Sequence, residues 1–204
     1  SFGRALVQGQ MQQLLLFDLR SNQLSSFAGC TIFVQSLGTA LLQSKLPQLR
    51  SLCLSENQLS DAPGCTQFLQ SLGKALEQGV LQQLNHLDLS RNQLSESESS
   101  SEFLKSLGNA LAMSKMQRLG NLNLSGNNLS KSSGCREFLY LLALALEKGT
   151  LQNLYRLDLS DNQLFKCSGC TDFLESLGAI LEQGKLQCLR YLYLSNNQLS
   201  QSQG

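Results

Sequence analysis

The sequence carries one histidine, His86, in 204 residues, and that scarcity excludes much chemistry. A triad built on a histidine base needs that base beside a serine or cysteine nucleophile, and no such set recurs or converges at readable spacing. A zinc site needs about four ligands. Cys167-Ser-Gly-Cys170 has CxxC spacing, but the chain has no second pair of that kind, and His86 lies far off. GxxxxGK[ST], HExxH and GxGxxG are absent as well. Charge is equally scarce: 15% of residues are charged, against roughly a quarter in ordinary domains. A net charge of +1 sets up no long-range field, which removes the main reason to propose nucleic acid or an anionic membrane as a partner. No apolar run approaches ~18 residues, so no segment reads as a membrane-spanning helix. The opening SFGRALVQGQ reads neither as a signal peptide nor as a targeting helix. The expectation is a chain with no catalytic residues, no cofactor and no metal.

What is present is a period. Asn22, Asn57, Asn92, Asn127, Asn162 and Asn197 stand 35 residues apart without an insertion. Around them LDLSRNQLS (87–95) returns as LDLSDNQLF (157–165) and LYLSNNQLS (192–200). Fixed self-similarity of this kind marks an array of stacked units. The opening residues match the helix tails SLGKALEQGV (71–80) and SLGAILEQGK (176–185). Residues 1–204 are therefore expected to form one repeat domain of about six units, a piece of a longer protein without full capping units.

Within a unit, Leu52-x-Leu54 alternates with period two, the mark of a short strand with one buried face. Asn57 follows where the chain must turn, and an inward amide there can satisfy backbone groups that the turn leaves open. Phe68, Leu69, Leu72, Ala75 and Leu76 then recur at helical spacing, and Gly79 ends the helix. No unit buries its leucines alone, so the units must stack, with strands on one side and helices on the other. LxxLxxLxLSxNxLS followed by an amphipathic helix resembles the leucine-rich repeat, in its ribonuclease-inhibitor-like form. That resemblance implies an α/β right-handed solenoid, a horseshoe with parallel strands on the concave face and helices on the convex face. It also implies protein recognition. The repeats depart from the family in length: 35 residues rather than about 28 or 29, the excess falling between strand and helix.

Seven cysteines are scattered along the chain, four of them (Cys30, Cys65, Cys135, Cys170) in one column beside glycine. An odd count in this arrangement favours buried thiols acting as small hydrophobes in a reducing compartment, hence a cytoplasmic or nuclear setting. Disulfides would point to an extracellular recognition domain instead.

Three variable columns flank the fixed leucines. The first runs Leu16, Ser51, His86, Asn121, Arg156, Tyr191, and the second Asp18, Cys53, Asp88, Asn123, Asp158, Tyr193. The third runs Ser21, Glu56, Arg91, Gly126, Asp161, Asn196. Their side chains are expected to face the concave hollow, with Asp18, Asp88 and Asp158 as surface groups. The candidate protein-binding residues are His86, Asp88, Arg91, Arg156, Asp158, Asp161, Tyr191, Tyr193 and Asn196. The richest end is the C-terminal one, because tyrosine and arginine are the usual anchors of interfaces. Tyr140 and Leu144, four apart on one helix face, either cover the neighbouring helix or form an exposed apolar spot, and packing is the expectation. SESESSSE (95–102) reads as a polar, mobile connection carrying serines beside acids. The leading function is a non-catalytic module that binds a partner protein through its concave face. Alternatives are a regulator of a partner enzyme (an inhibitor or GTPase activator), a structural spacer, and an extracellular or immune-type recognition domain. End-to-end self-association is expected from leucines left uncovered at the last unit.

Overall fold

The computed structural model describes residues 2–25, 28–59, 63–95 and 97–201. Its elements alternate along the chain: α1 Phe2–Val7, β1 Leu16–Asp18, α2 Ala28–Leu42, β2 Ser51–Cys53, α3 Pro63–Glu77 and β3 His86–Asp88. There follow α4 Glu98–Ala112, β4 Asn121–Asn123, α5 Cys135–Glu147, β5 Arg156–Asp158, α6 Cys170–Glu182 and β6 Tyr191–Tyr193. The strands form one parallel sheet in the order β1-β2-β3-β4-β5-β6. Each strand pairs with the next at an offset of one repeat, as in Leu52↔Leu87 and Leu87↔Leu122. The chain folds as a leucine-rich-repeat solenoid, and residues sharing a column share a place on its surface.

The expected core is present. Leu52, Leu54, Leu87, Leu89, Leu122, Leu124, Leu157 and Leu159 are fully buried between sheet and helices. Phe68, Phe103, Phe138 and Phe173 stack behind them on the helices. Asn57, Asn92, Asn127 and Asn162 are buried too, each bonded to backbone in two repeats. The Asn92 amide nitrogen donates to the carbonyls of Leu54, at 2.8 Å, and Leu89, at 3.1 Å. Its oxygen accepts the N–H of Asn57, and the Asn127 oxygen in turn accepts the N–H of Asn92 at 2.7 Å. Each of these asparagines thus closes the turn of the unit before it.

That turn is tight. The residues on either side of the asparagine are left-handed, as at Arg91 (φ 54°) and Gln93 (φ 58°) around Asn92. The same holds at Asp161 and Gln163 around Asn162. L-residues other than glycine, asparagine and aspartate enter this region at a cost. The turn residues therefore carry strain that the buried amide holds in place.

Three expectations need correction. Residues 98–102 of SESESSSE form the first turn of α4 rather than a connection. Ser97 caps it, its hydroxyl accepting the N–H of Ser100 at 3.2 Å, while Ser99, Ser100 and Ser101 are buried. Glu96 lies outside the described residues. Cys65, Cys135 and Cys170 are buried thiols, but Cys30 is only half-buried. The cause is α1, which reaches back only to Phe2 and packs Gly3 against Ser36, leaving the first turns of α2 uncovered. Ile32 is 67% exposed, in a column that is exposed in every unit and elsewhere holds Gln67, Glu102, Glu137 and Asp172. Finally, Tyr140 does not pack against a neighbouring helix: it is 65% exposed, while Leu144 is half-buried.

Candidate binding face

The first two variable columns lie on the strands and the third on the turn beyond them, so the three form adjacent rows across the concave side. The rows differ in how much of their chemistry they keep for themselves. In the second row, the Asp88 carboxylate accepts the Ser90 N–H at 2.9 Å and the Ser90 hydroxyl at 2.7 Å. Asn123 does the same for Ser125, at 3.0 and 2.8 Å. Asp158 repeats it for Ser160. These side chains tie down the end of their own strand. Asp158, expected as a surface group, is 7% exposed. Its charge goes to Ser160 and to Arg156, whose Nη2 lies 3.3 Å away, so Asp158 is part of the wall and offers little to a partner. Asp88 is half-buried and Asp18 is exposed, the latter in a 2.6 Å ion pair with Arg20. The hydrogen bond from Arg20 holds the Asp18 carboxyl below the usual aspartate range.

The third row is exposed except at Gly126, which is half-buried, and its members bond to one another. The Ser21 hydroxyl donates to Glu56 at 2.8 Å, and Arg91 pairs with the same carboxylate at 3.2 Å. Asn196 donates to Asp161 at 2.8 Å. Gly126 interrupts this chain of contacts, so Arg91 and Asp161 stand on separate halves of the rim.

In the first row His86 is half-buried, and burial lowers its pKa below the ordinary histidine value. It is neutral at pH 7 and presents a hydrogen-bonding ring rather than a cation. At the C-terminal end Tyr191 is 51% exposed and Tyr193 38% exposed. Their rings lie parallel, 6.4 Å between centroids. The Arg156 guanidinium sits 4.7 Å over the Tyr193 ring, a cation–π contact that holds both groups while leaving much of each ring in solvent. The structure therefore brings Arg156, Tyr191 and Tyr193 into one cluster. Asp161 and Asn196 lie on its rim, and His86, Asp88 and Arg91 sit two strands away on β3 and its turn.

One exposed aromatic beside these rows was not anticipated. Tyr155, just before β5, is 39% exposed. Its ring lies against Gly120, where an added Cβ would sit 2.8 Å from the Tyr155 Cε1. The signal was available: Leu15, Arg50, Asn85, Gly120, Tyr155 and Arg190 form a fourth column as variable as the other three.

Two stretches, residues 83–107 and 188–203, match the family model described as Leucine Rich Repeat. The first runs from the residues before β3 into α4, and the second covers β6 with its turn. A leucine-rich-repeat region is thus present in part of the chain, and the solenoid geometry repeats its pattern throughout. A search of curated proteins gave no match. Among the described residues, no group of three or more His, Cys, Asp or Glu side chains is placed to hold a metal ion, and no helix is long and apolar enough to cross a membrane. The fold and the leucine-rich-repeat stretches support a generic protein-binding module.

Proposed function

We propose that this module binds a partner protein through the C-terminal part of its concave face, with Tyr191, Tyr193 and Arg156 as anchors and Tyr155, Asp161 and Asn196 around them. The observation that carries this reading is the exposed pair Tyr191 and Tyr193, stacked and backed by Arg156. Nothing in strand pairing or core packing requires aromatic rings there, since the same columns elsewhere hold serine, asparagine and aspartate. Rigid aromatics held in place before binding lose little side-chain entropy on contact, which is why such clusters make effective anchors. His86, Asp88 and Arg91 extend the surface toward the middle of the sheet.

The build, with helices of 13 to 15 residues on the convex side, is ribonuclease-inhibitor-like, and thiols in place of disulfides suit a cytoplasmic or nuclear setting. The test is affinity capture from cell extract with the chain and with Tyr191→Ala/Tyr193→Ala. A protein retained by the first and lost by the second supports the reading. Equal retention by both would move the site elsewhere, and a chain that captures nothing behaves as a spacer.

A further inference from the structure

The convex side changes character between α5 and α6. In the α3–α4 and α4–α5 grooves, side-chain pairs bridge the neighbouring helices. Gln70 on α3 donates to Glu102 on α4 at 3.3 Å, and Lys105 on α4 pairs with Glu137 on α5 at 3.4 Å. One repeat on, the same column places Tyr140 opposite Asp172. A second bridge runs from Asn109 on α4 to Glu77 on α3 at 2.9 Å. Its counterpart two repeats later is Ala179 opposite Glu147. At both places α5 and α6 retain the carboxylate and lack the donor. Asp172 and Glu147 are exposed, and among the described residues no hydrogen bond or ion pair reaches either side chain.

The floor of this groove is apolar. A cleft of about 430 Å³ between the two helices is lined by Tyr140, Ala143, Phe173 and Ser176, with Arg136 and Asp172 on its edge. Ala143 stands in a column that is otherwise glycine. The surrounding charge is mainly acidic: α6 carries Asp172, Glu175 and Glu182 and no base, and α5 sets Glu137 and Glu147 against Arg136, with Lys148 at its end. A chain of net charge +1 thus concentrates an excess of acid on its last two helices.

From this geometry we infer that the α5–α6 groove is a second interaction surface, and that its occupant is a basic amphipathic helix of a partner protein. An apolar side chain of that helix seats on Tyr140, Ala143 and Phe173. Lysine or arginine side chains replace the missing donors at Asp172 and Glu147, their aliphatic stems lying along the groove. The two carboxylates differ by ten positions in helix level, which is about 15 Å along the axis. The matching basic residues on the partner are therefore also about ten positions apart. This surface lies opposite the concave one and does not depend on it.

The test uses isotope-labelled protein and two synthetic helical peptides with one leucine stripe in common. One carries lysine at two positions ten apart, and the other carries glutamate there. The lysine peptide should shift amide resonances of α5 and α6 saturably, and its affinity should fall roughly tenfold between low and high salt. Tyr140→Gln/Ala179→Asn restores the donors of the earlier repeats with residue types that already occupy those columns. It should weaken binding roughly tenfold, whereas Tyr191→Ala should leave it unchanged. Equal binding of the glutamate peptide would overturn the inference. So would shifts centred on the strands, indifference to the donor-restoring variant, or no binding at the highest soluble peptide concentration.

Discussion

At the scale of single residues, the asparagine carries more than its size suggests. Asn127 is fully buried; its nitrogen serves the carbonyls of Leu89 and Leu124, and its oxygen takes the N–H groups of Asn92 and, at 3.4 Å, Leu94. Asn127→Ala strands several buried backbone groups together, and a loss of about 3 kcal/mol or more is expected in urea unfolding. Asn22→Ala, at the exposed first position, should cost less than about 1 kcal/mol by the same measurement. His86 gives a pH signature. Because burial lowers its pKa, the unfolded chain takes up a proton first as pH falls below about 6.5. Its stabilising contribution is therefore whole above that pH and is lost as pH falls toward the folded value. His86→Asn, which borrows the residue of the next strand, should flatten the melting temperature between pH 7.5 and 5. Persistence of the slope would assign it elsewhere. These roles were unevenly legible. The buried asparagine followed from one polar residue in an apolar register. The role of Asp158 did not, because Asp-Leu-Ser reads equally well as an exposed acid or as a carboxylate folded back on its own serine.

At the scale of elements, the period gave strand and helix order, and the corrections fall where one unit departs from its siblings. Serine and glutamate at 97–102 suggested a connection, yet Ser97 is a helix cap and the buried serines fill the place that glycine and cysteine hold elsewhere. Helix spacing was not legible either, since it depends on what faces each glycine. A Cβ on Gly38 of α2 would lie 3.0 Å from the Ser71 Cβ and 3.2 Å from the Phe68 Cα on α3, whereas one on Gly178 of α6 would meet nothing within 4 Å. Gly178→Ala should therefore stabilise the fold by about 0.5–1 kcal/mol through helix propensity. Gly38→Ala should destabilise it by about 1 kcal/mol or more, because the α2–α3 contact must open. Thermal melts of the two variants compare identical substitutions, one facing a following helix and one on the last helix, so the difference reports that helix–helix contact.

At the scale of the whole molecule, burial is not uniform along the array. Leu84, Leu87, Leu89 and Leu94 are closed off, while their counterparts Leu189, Leu192, Leu194 and Leu199 are only half-buried. Leu181 is 51% exposed. With β6 at the edge of the sheet, association of copies through this end is the expected behaviour. Sedimentation at rising concentration should show mass increasing with concentration, and a constant monomer would exclude it. Amide exchange should also be fastest in β6 and α6 and slowest in β3 and β4. The asparagine bonds give this array a direction. Asn57 closes the unit that holds Asn22, Asn92 the unit that holds Asn57, and Asn197 the unit that holds Asn162. A chain leaving the ribosome meets these closures in order, and always one unit late. The newest turn has its strained residues in place but waits for an amide about 35 residues further on. Each turn is thus closed only by the repeat that follows it, so truncation at a repeat boundary is expected to leave the last remaining turn unclosed while those before it keep their amide.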